Sequence, residues 1–183
     1  MNNLSPLSPL TQLIALRRKG VLIQNENRRL IFSIIRMIAG LAVLAAIFLT
    51  IFSFRIVNGN DMYPALCDGD LVLTYHKSEY IKNDIVFYEV DGQEYCGRVA
   101  AKAGDNIGFS DDKLFVNGTA QTTEILFPTS APAGWEGTET VPEDMIYILG
   151  DFRTQCEDSR VFGFIPLENV KSKAIVLFRH KTL

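Results

Sequence analysis

The chain reads as mainly β, a barrel- or sandwich-type domain behind one N-terminal transmembrane helix. Three observations carry that reading. Residues 37–54 form a run of 18 residues without a charge. Beyond it, short apolar runs take over, many with period two, at 70–75, 84–90, 94–101, 113–116, 144–149 and 173–180. Turn signals separate them: Asp91-Gly92, Gly104-Asp105-Asn106, Ser110-Asp111-Asp112 and Asn117-Gly118. Short strands with close turns and no long helical repeat point to an all-β, barrel-like domain. A length of 183 residues suits one such domain plus one added element.

Taken in order, residues 1–36 are a basic tail. Its first 30 residues mix Ser-Pro pairs with a short apolar stretch at 10–16, and read as a loose tail with a surface-lying helix. The anchor follows at 37–54. At 1.5 Å per residue its span is about 27 Å, close to the hydrocarbon thickness of a bilayer. With Arg36 snorkelling, the span can begin near residue 31. The 36 residues before the run exceed an ordinary signal-peptide n-region, and no Ala-x-Ala-like site follows, so an uncleaved anchor is expected. Residues 1–36 carry Arg17, Arg18, Lys19, Arg28, Arg29 and Arg36 against Glu26, a net of +5. The positive-inside rule therefore places this end in the cytoplasm and residues 55–183 outside a plasma membrane.

The outer part has 12 basic and 20 acidic residues, net −8, which removes the electrostatic case for nucleic acid. Dinucleotide-type and P-loop glycine patterns are absent, and no cofactor is expected. His76 has no ligand spacing around it, so no metal is expected either. Cys67, Cys96 and Cys156 are an odd set, leaving at least one unpaired in a monomer. The stretch 128–142, rich in Pro, Gly, Thr and Glu and holding Trp135, reads as an exposed extension. Asn117-Gly118-Thr119 matches a glycosylation sequon, but an Asn-Gly turn accounts for it.

Four blocks carry a family resemblance. Gly59-Asn60-Asp61-Met62-Tyr63-Pro64-Ala65-Leu66-Cys67-Asp68-Gly69-Asp70 resembles Gly-x-Ser-Met-x-Pro-Thr-Leu-x-x-Gly-Asp of type I signal peptidases. Gly97-Arg98-Val99 through Gly104-Asp105 resembles their Lys-Arg-Val-x-x-x-x-Gly-Asp. The run from Asp105 to Gly118 is similar to the hairpin that follows, and Gly150 to Gly163 to the closing motif. The resemblance implies a signal-peptidase-like fold, with Asp61 in place of the serine nucleophile and Gly97 in place of the lysine base. Cys156 stands where a serine orients that lysine, Phe152 for an asparagine, and Ala65 for the motif threonine. Asp158 and Arg160 are expected to form a structural ion pair.

Serine-type hydrolysis needs a hydroxyl whose proton a neighbouring base removes. Asp61 and Gly97 supply neither. Lys102 lies five residues on, ~17 Å along an extended strand and on the opposite face, because five is odd. An Asp61–Asp158 dyad sharing a proton would require near-contact. A thiol route through Cys156 needs a base, and His76 and His180 are distant in sequence. The expected product is a pseudoenzyme.

The resemblance further implies a β-addition groove along residues 54–61 and 93–97. Its peptide-binding residues would be Val57, Gly59, Asp61, Met62, Leu66, Tyr95, Cys96 and Gly97, with Val57, Met62, Leu66 and Cys96 lining an apolar pocket. Inactive members of this family accompany sortase-built pili in Gram-positive bacteria. The implied role is a membrane-bound chaperone that presents a secreted pilin, or another exported segment, to the sortase. Two other readings stay open: an active peptidase with an Asp61-based dyad, and a regulator of a true signal peptidase.

Overall fold

The computed structural model describes residues 9–76, 79–121 and 127–179. The chain divides into two compact units, Met1–Leu49 and Thr50–Leu183. The first holds all but the last two residues of α1, a single helix running Pro9–Ile51. The expected loose tail is thus helical from Pro9 on, and its first eight residues lie outside the described ones. The basic clusters interrupt apolarity, not helicity, because Arg and Lys are good helix formers. Within α1, Glu26–Ile51 is 26 residues long and apolar enough to cross a membrane. Its large side chains, Ile38, Leu41, Leu44 and Leu49 among them, are exposed.

The second unit begins with β1 (Phe52–Ile56), then β2 (Leu71–Tyr75), β3 (Ile85–Val90) and β4 (Gln93–Lys102). Next come β5 (Asn106–Ser110), β6 (Lys113–Val116), β7 (Thr119–Ala120) and β8 (Thr138–Thr140). After β9 (Met145–Leu149), a short helix α2 (Ser159–Phe162) precedes β10 (Ile165–Pro166) and β11 (Val170–Phe178). The last strand begins at Val170, three residues before its expected start, and ends at Phe178; the expected end at His180 falls outside the described residues.

One sheet has the order β1-β2-β11-β3-β4-β9-β10 and the other β7-β6-β5-β8. All pairings are antiparallel. Among the described residues both sheets are open and no closed barrel forms; there β1 pairs only with β2 and β10 only with β9. The two sheets share a core of Ala100, Ala101, Ile107, Leu114, Val116, Val141, Tyr147 and Leu149. Ala100 and Ala101 are both buried because the β4–β9 register shifts between Val99 and Ala101. That bulge breaks the alternation on which the sequence argument about Lys102 depended.

Stretch 128–142 is less free than its composition suggests. Much of it is exposed, but Thr129 and Val141 are buried, β8 pairs with β5, and Trp135 packs edge-on against Phe109 at 5.2 Å. At Asn117-Gly118 both residues have positive φ, 53° and 77°, as a tight hairpin turn requires.

Candidate functional site

The site grows from the loop between β1 and β2. Val57 N–H donates to Asp70 O and Gly69 N–H to Val57 O, both at 2.9 Å, so the neck of the loop is closed. Gly59 and Gly69 sit at φ +88° and +81°, where a side chain would be strained. Gly59 N–H donates to Asp68 Oδ1 at 2.8 Å. Met62 and Leu66 turn inward and are buried, which leaves Asp61 half-buried at the rim. The Asp61 carbonyl accepts from Phe152 N–H at 2.8 Å and thereby docks the loop on the segment after β9.

That segment is built around Asp158. Its carboxylate accepts from Gly150 N–H at 3.0 Å and caps α2 through Arg160 N–H at 3.0 Å. It also takes two bonds from the Arg160 guanidinium, each 2.9 Å. Cys156 Sγ donates to the same carboxylate at 3.3 Å. A Cβ on Gly150 would lie 2.3 Å from Cys156 Sγ and 2.9 Å from the Asp61 carbonyl, so only glycine lets these three meet.

Burial first, then Glu157 and Asp158, push the Asp61 carboxyl above its usual range. Burial and then Asp158 push the Cys156 thiol up to about 12, so it is not a thiolate at neutral pH. Asp158 is fully engaged by a cation and by backbone N–H groups, which does not suit a proton shared with Asp61.

Gly97 lies in mid-β4, opposite Val86. A Cβ there would meet Ile148 Cγ2 at 2.4 Å and Tyr88 Cε1 at 3.4 Å. The space a side chain would need at this position is occupied by residues of β9 and β3. The Tyr88 hydroxyl is buried and unpartnered among the described residues. Burial and then Asp158 hold it well above the ordinary tyrosine range. Lys102 lines a hollow with Tyr80 and Met145, at the opposite end of β4 from Gln93.

Val57, Met62 and Leu66 are 3%, 1% and 3% exposed and form one cluster with Val72 and Phe87, against which Cys96 packs. Tyr95 stacks on Tyr88 at 5.8 Å and meets the Phe162 ring at a tilt, 4.9 Å away. The stretch 93–97 of β4 pairs with β3, and the β9 pairing starts only at Arg98. Its other edge, like the outer edge of β1, carries no ladder bonds among the described residues.

Residues 29–179 match the family model described as signal peptidase, peptidase S26. The chain belongs to the S26 signal peptidase family. It is 30% identical to signal peptidase I of Bacillus caldolyticus over 148 residues, 72% of this chain and 81% of that protein. Signal peptidase I of Bacillus licheniformis is likewise 30% identical, over 75% of this chain and 83% of its own length. A crystal structure of a signal peptidase I from Enterococcus faecalis V583 has 24% identity and a TM-score of 0.46, covering 52% of this chain and 97% of that one.

Around this S26 site are residues that sequence reasoning missed. Arg98 grips Asp151 with two bonds of 2.9 and 2.6 Å, joining the Gly97 block to the closing block. Arg153 is 3% exposed and donates to Gly150 O at 2.7 Å and to Thr129 Oγ1 at 2.6 Å, tying stretch 128–142 to the site. Each arginine sits within three residues of a motif glycine, but its partner is set by strand register rather than by spacing. Among the described residues no cluster of His, Cys, Asp and Glu could hold a metal.

Proposed function

We propose that this chain is a membrane-anchored, non-catalytic member of the S26 family that holds an extended segment of an exported protein without cutting it. One observation carries the reading. At the position that resembles the base, Ile148 and Tyr88 fill the space a side chain would need, and a carboxylate stands where the hydroxyl nucleophile is expected. A carboxylate has no hydroxyl proton to give up at neutral pH, and Gly97 offers no group to take one. The free edge at 93–97 keeps the backbone donors and acceptors that β-addition uses.

The setting we propose is sortase-built pili of Gram-positive bacteria, with a secreted pilin as the bound partner and the sortase as the enzyme served. It rests on the resemblance of the doubly substituted dyad to inactive family members. Its relatives' names point to peptidase activity, and that makes catalysis the first thing to measure. The full-length protein in detergent is expected to leave preprotein substrates intact between about pH 4 and 9, a range that includes the acidic window of a carboxylate dyad. Turnover that disappears in Asp61→Asn would overturn the reading. In cells, deletion is expected to leave pilin subunits exported but not polymerised.

A further inference from the structure

We propose that the Arg55–Glu94 ion pair is a gate over the buried apolar cluster of the groove, and that Arg55 selects peptides carrying an acidic side chain. The inference rests on the peptide-binding reading above. In the large sheet, β1 and β4 are separated by β2, β11 and β3. Nevertheless Arg55 Nη1 on β1 is bonded to Glu94 Oε1 on β4. The sheet therefore curls until these two strands face each other across its concave side.

Register places both residues on that side. Arg55 is opposite Val72, and Cys96 is opposite Phe87. Val72 and Phe87 belong to one buried cluster, and Glu94 lies two residues from Cys96, on the same face. The Arg55 guanidinium carbon is 5.8 Å from the Phe87 ring centroid, within cation–π range. Arg55 thus lies over the cluster that would receive a small apolar side chain. Beneath it Val57, Met62, Leu66 and Phe87 are at most 3% exposed, so the cluster is covered while the pair holds.

The closed state carries an unmet donor. Arg55 Nε is buried and without a partner among the described residues. A buried N–H lacking an acceptor is a cost that an incoming acceptor relieves. A carboxylate on a strand added at 93–97 can take the Nε–H and a second guanidinium N–H together, in the fork geometry that favours arginine. An Ala-x-Ala segment offers nothing to Arg55 and must displace it to reach Phe87 and Cys96.

Two fluorescent peptides test this on the full-length protein in detergent micelles. They have identical sequences except that one ends Ala-Leu-Ala and the other Glu-Leu-Ala. Wild type is expected to bind the Glu peptide about tenfold tighter, the equivalent of one strong polar contact. Arg55→Ala should lose that preference and gain affinity for the Ala peptide. Arg55→Lys should retain part of the preference, and Glu94→Gln, which frees Arg55, should strengthen the Glu peptide. Equal binding of both peptides by wild type and Arg55→Ala would overturn the gate while leaving the groove in place. Failure of every folded variant to bind either peptide would remove the gate and the groove reading together.

Discussion

Gly97 is first of all a packing requirement. With Ile148 Cγ2 only 2.4 Å from where its Cβ would stand, even a methyl group forces β4 and β9 apart or drives Ile148 off its rotamer. Gly97→Ala is therefore expected to destabilise the domain by roughly 1–3 kcal/mol, the usual cost of overpacking. Urea unfolding reads it directly, and an unchanged midpoint would show that Ile148 yields without cost. By the same geometry, installing serine at 61 and lysine at 97 introduces the strain before it introduces any chemistry. Asp61 and Gly97 were legible in the sequence because they interrupt a motif. Ile148 and Tyr88 were not, since they belong to other strands and reach Gly97 only through the register of β3 and β9.

Strands with strong period-two patterns were legible as elements, and β2, β3, β4, β6 and β9 lie within a residue or two of their expected ranges. β1 was hidden because Phe52 and Phe54 extend the apolar run of α1 without a break. β5 was legible only through the hairpin resemblance, because Asn106 and Gly108 weaken its β signal; a Cβ at Gly108 would lie 2.8 Å from Thr138 Cγ2 on β8. The clasp at the end of β11 was also invisible. There Arg179 Nε and Nη2 donate to the buried Asp70 carboxylate at 3.1 and 2.7 Å, fastening the Asp61 loop to the last strand.

Hydrogen bonds from Arg179, opposed in part by burial, hold the Asp70 carboxyl below its usual 3.8. A depressed carboxylate contributes stability that is present above its unfolded pKa and is lost as pH falls through its folded value. Arg179→Ala should therefore destabilise the domain near neutrality and move acid unfolding to higher pH. The difference from wild type should vanish once Asp70 is protonated in both, well below pH 4. Circular-dichroism melts from about pH 2 to 7 check it. A displacement equal at every pH would mean that Arg179 acts by packing alone.

At the scale of the whole molecule, charge and apolarity are sorted along the chain. Residues 1–36 carry +5, residues 37–54 carry none, and residues 55–183 carry −8. The helix across the uncharged run is long and apolar enough to cross a membrane. The structure shows that helicity does not stop at the basic cluster, so the boundary between tail and span is electrostatic, not conformational. Moving the Arg and Lys side chains of residues 17–36 across the hydrocarbon would cost several kcal/mol each, so the positive-inside rule predicts that they keep their end in the cytoplasm. The peptide-holding role we propose requires that the domain stand on the opposite side, where exported segments emerge. Protease added to intact protoplasts should therefore remove residues beyond the span and leave a protected fragment that contains the N-terminal tail. Lysis before treatment should abolish the protection. If protease spares the C-terminal domain in intact protoplasts, the orientation is inverted and an extracellular partner is ruled out. If the mature protein instead starts near residue 55, the helix is a cleaved signal and the domain is released, leaving nothing to hold the groove at the membrane surface.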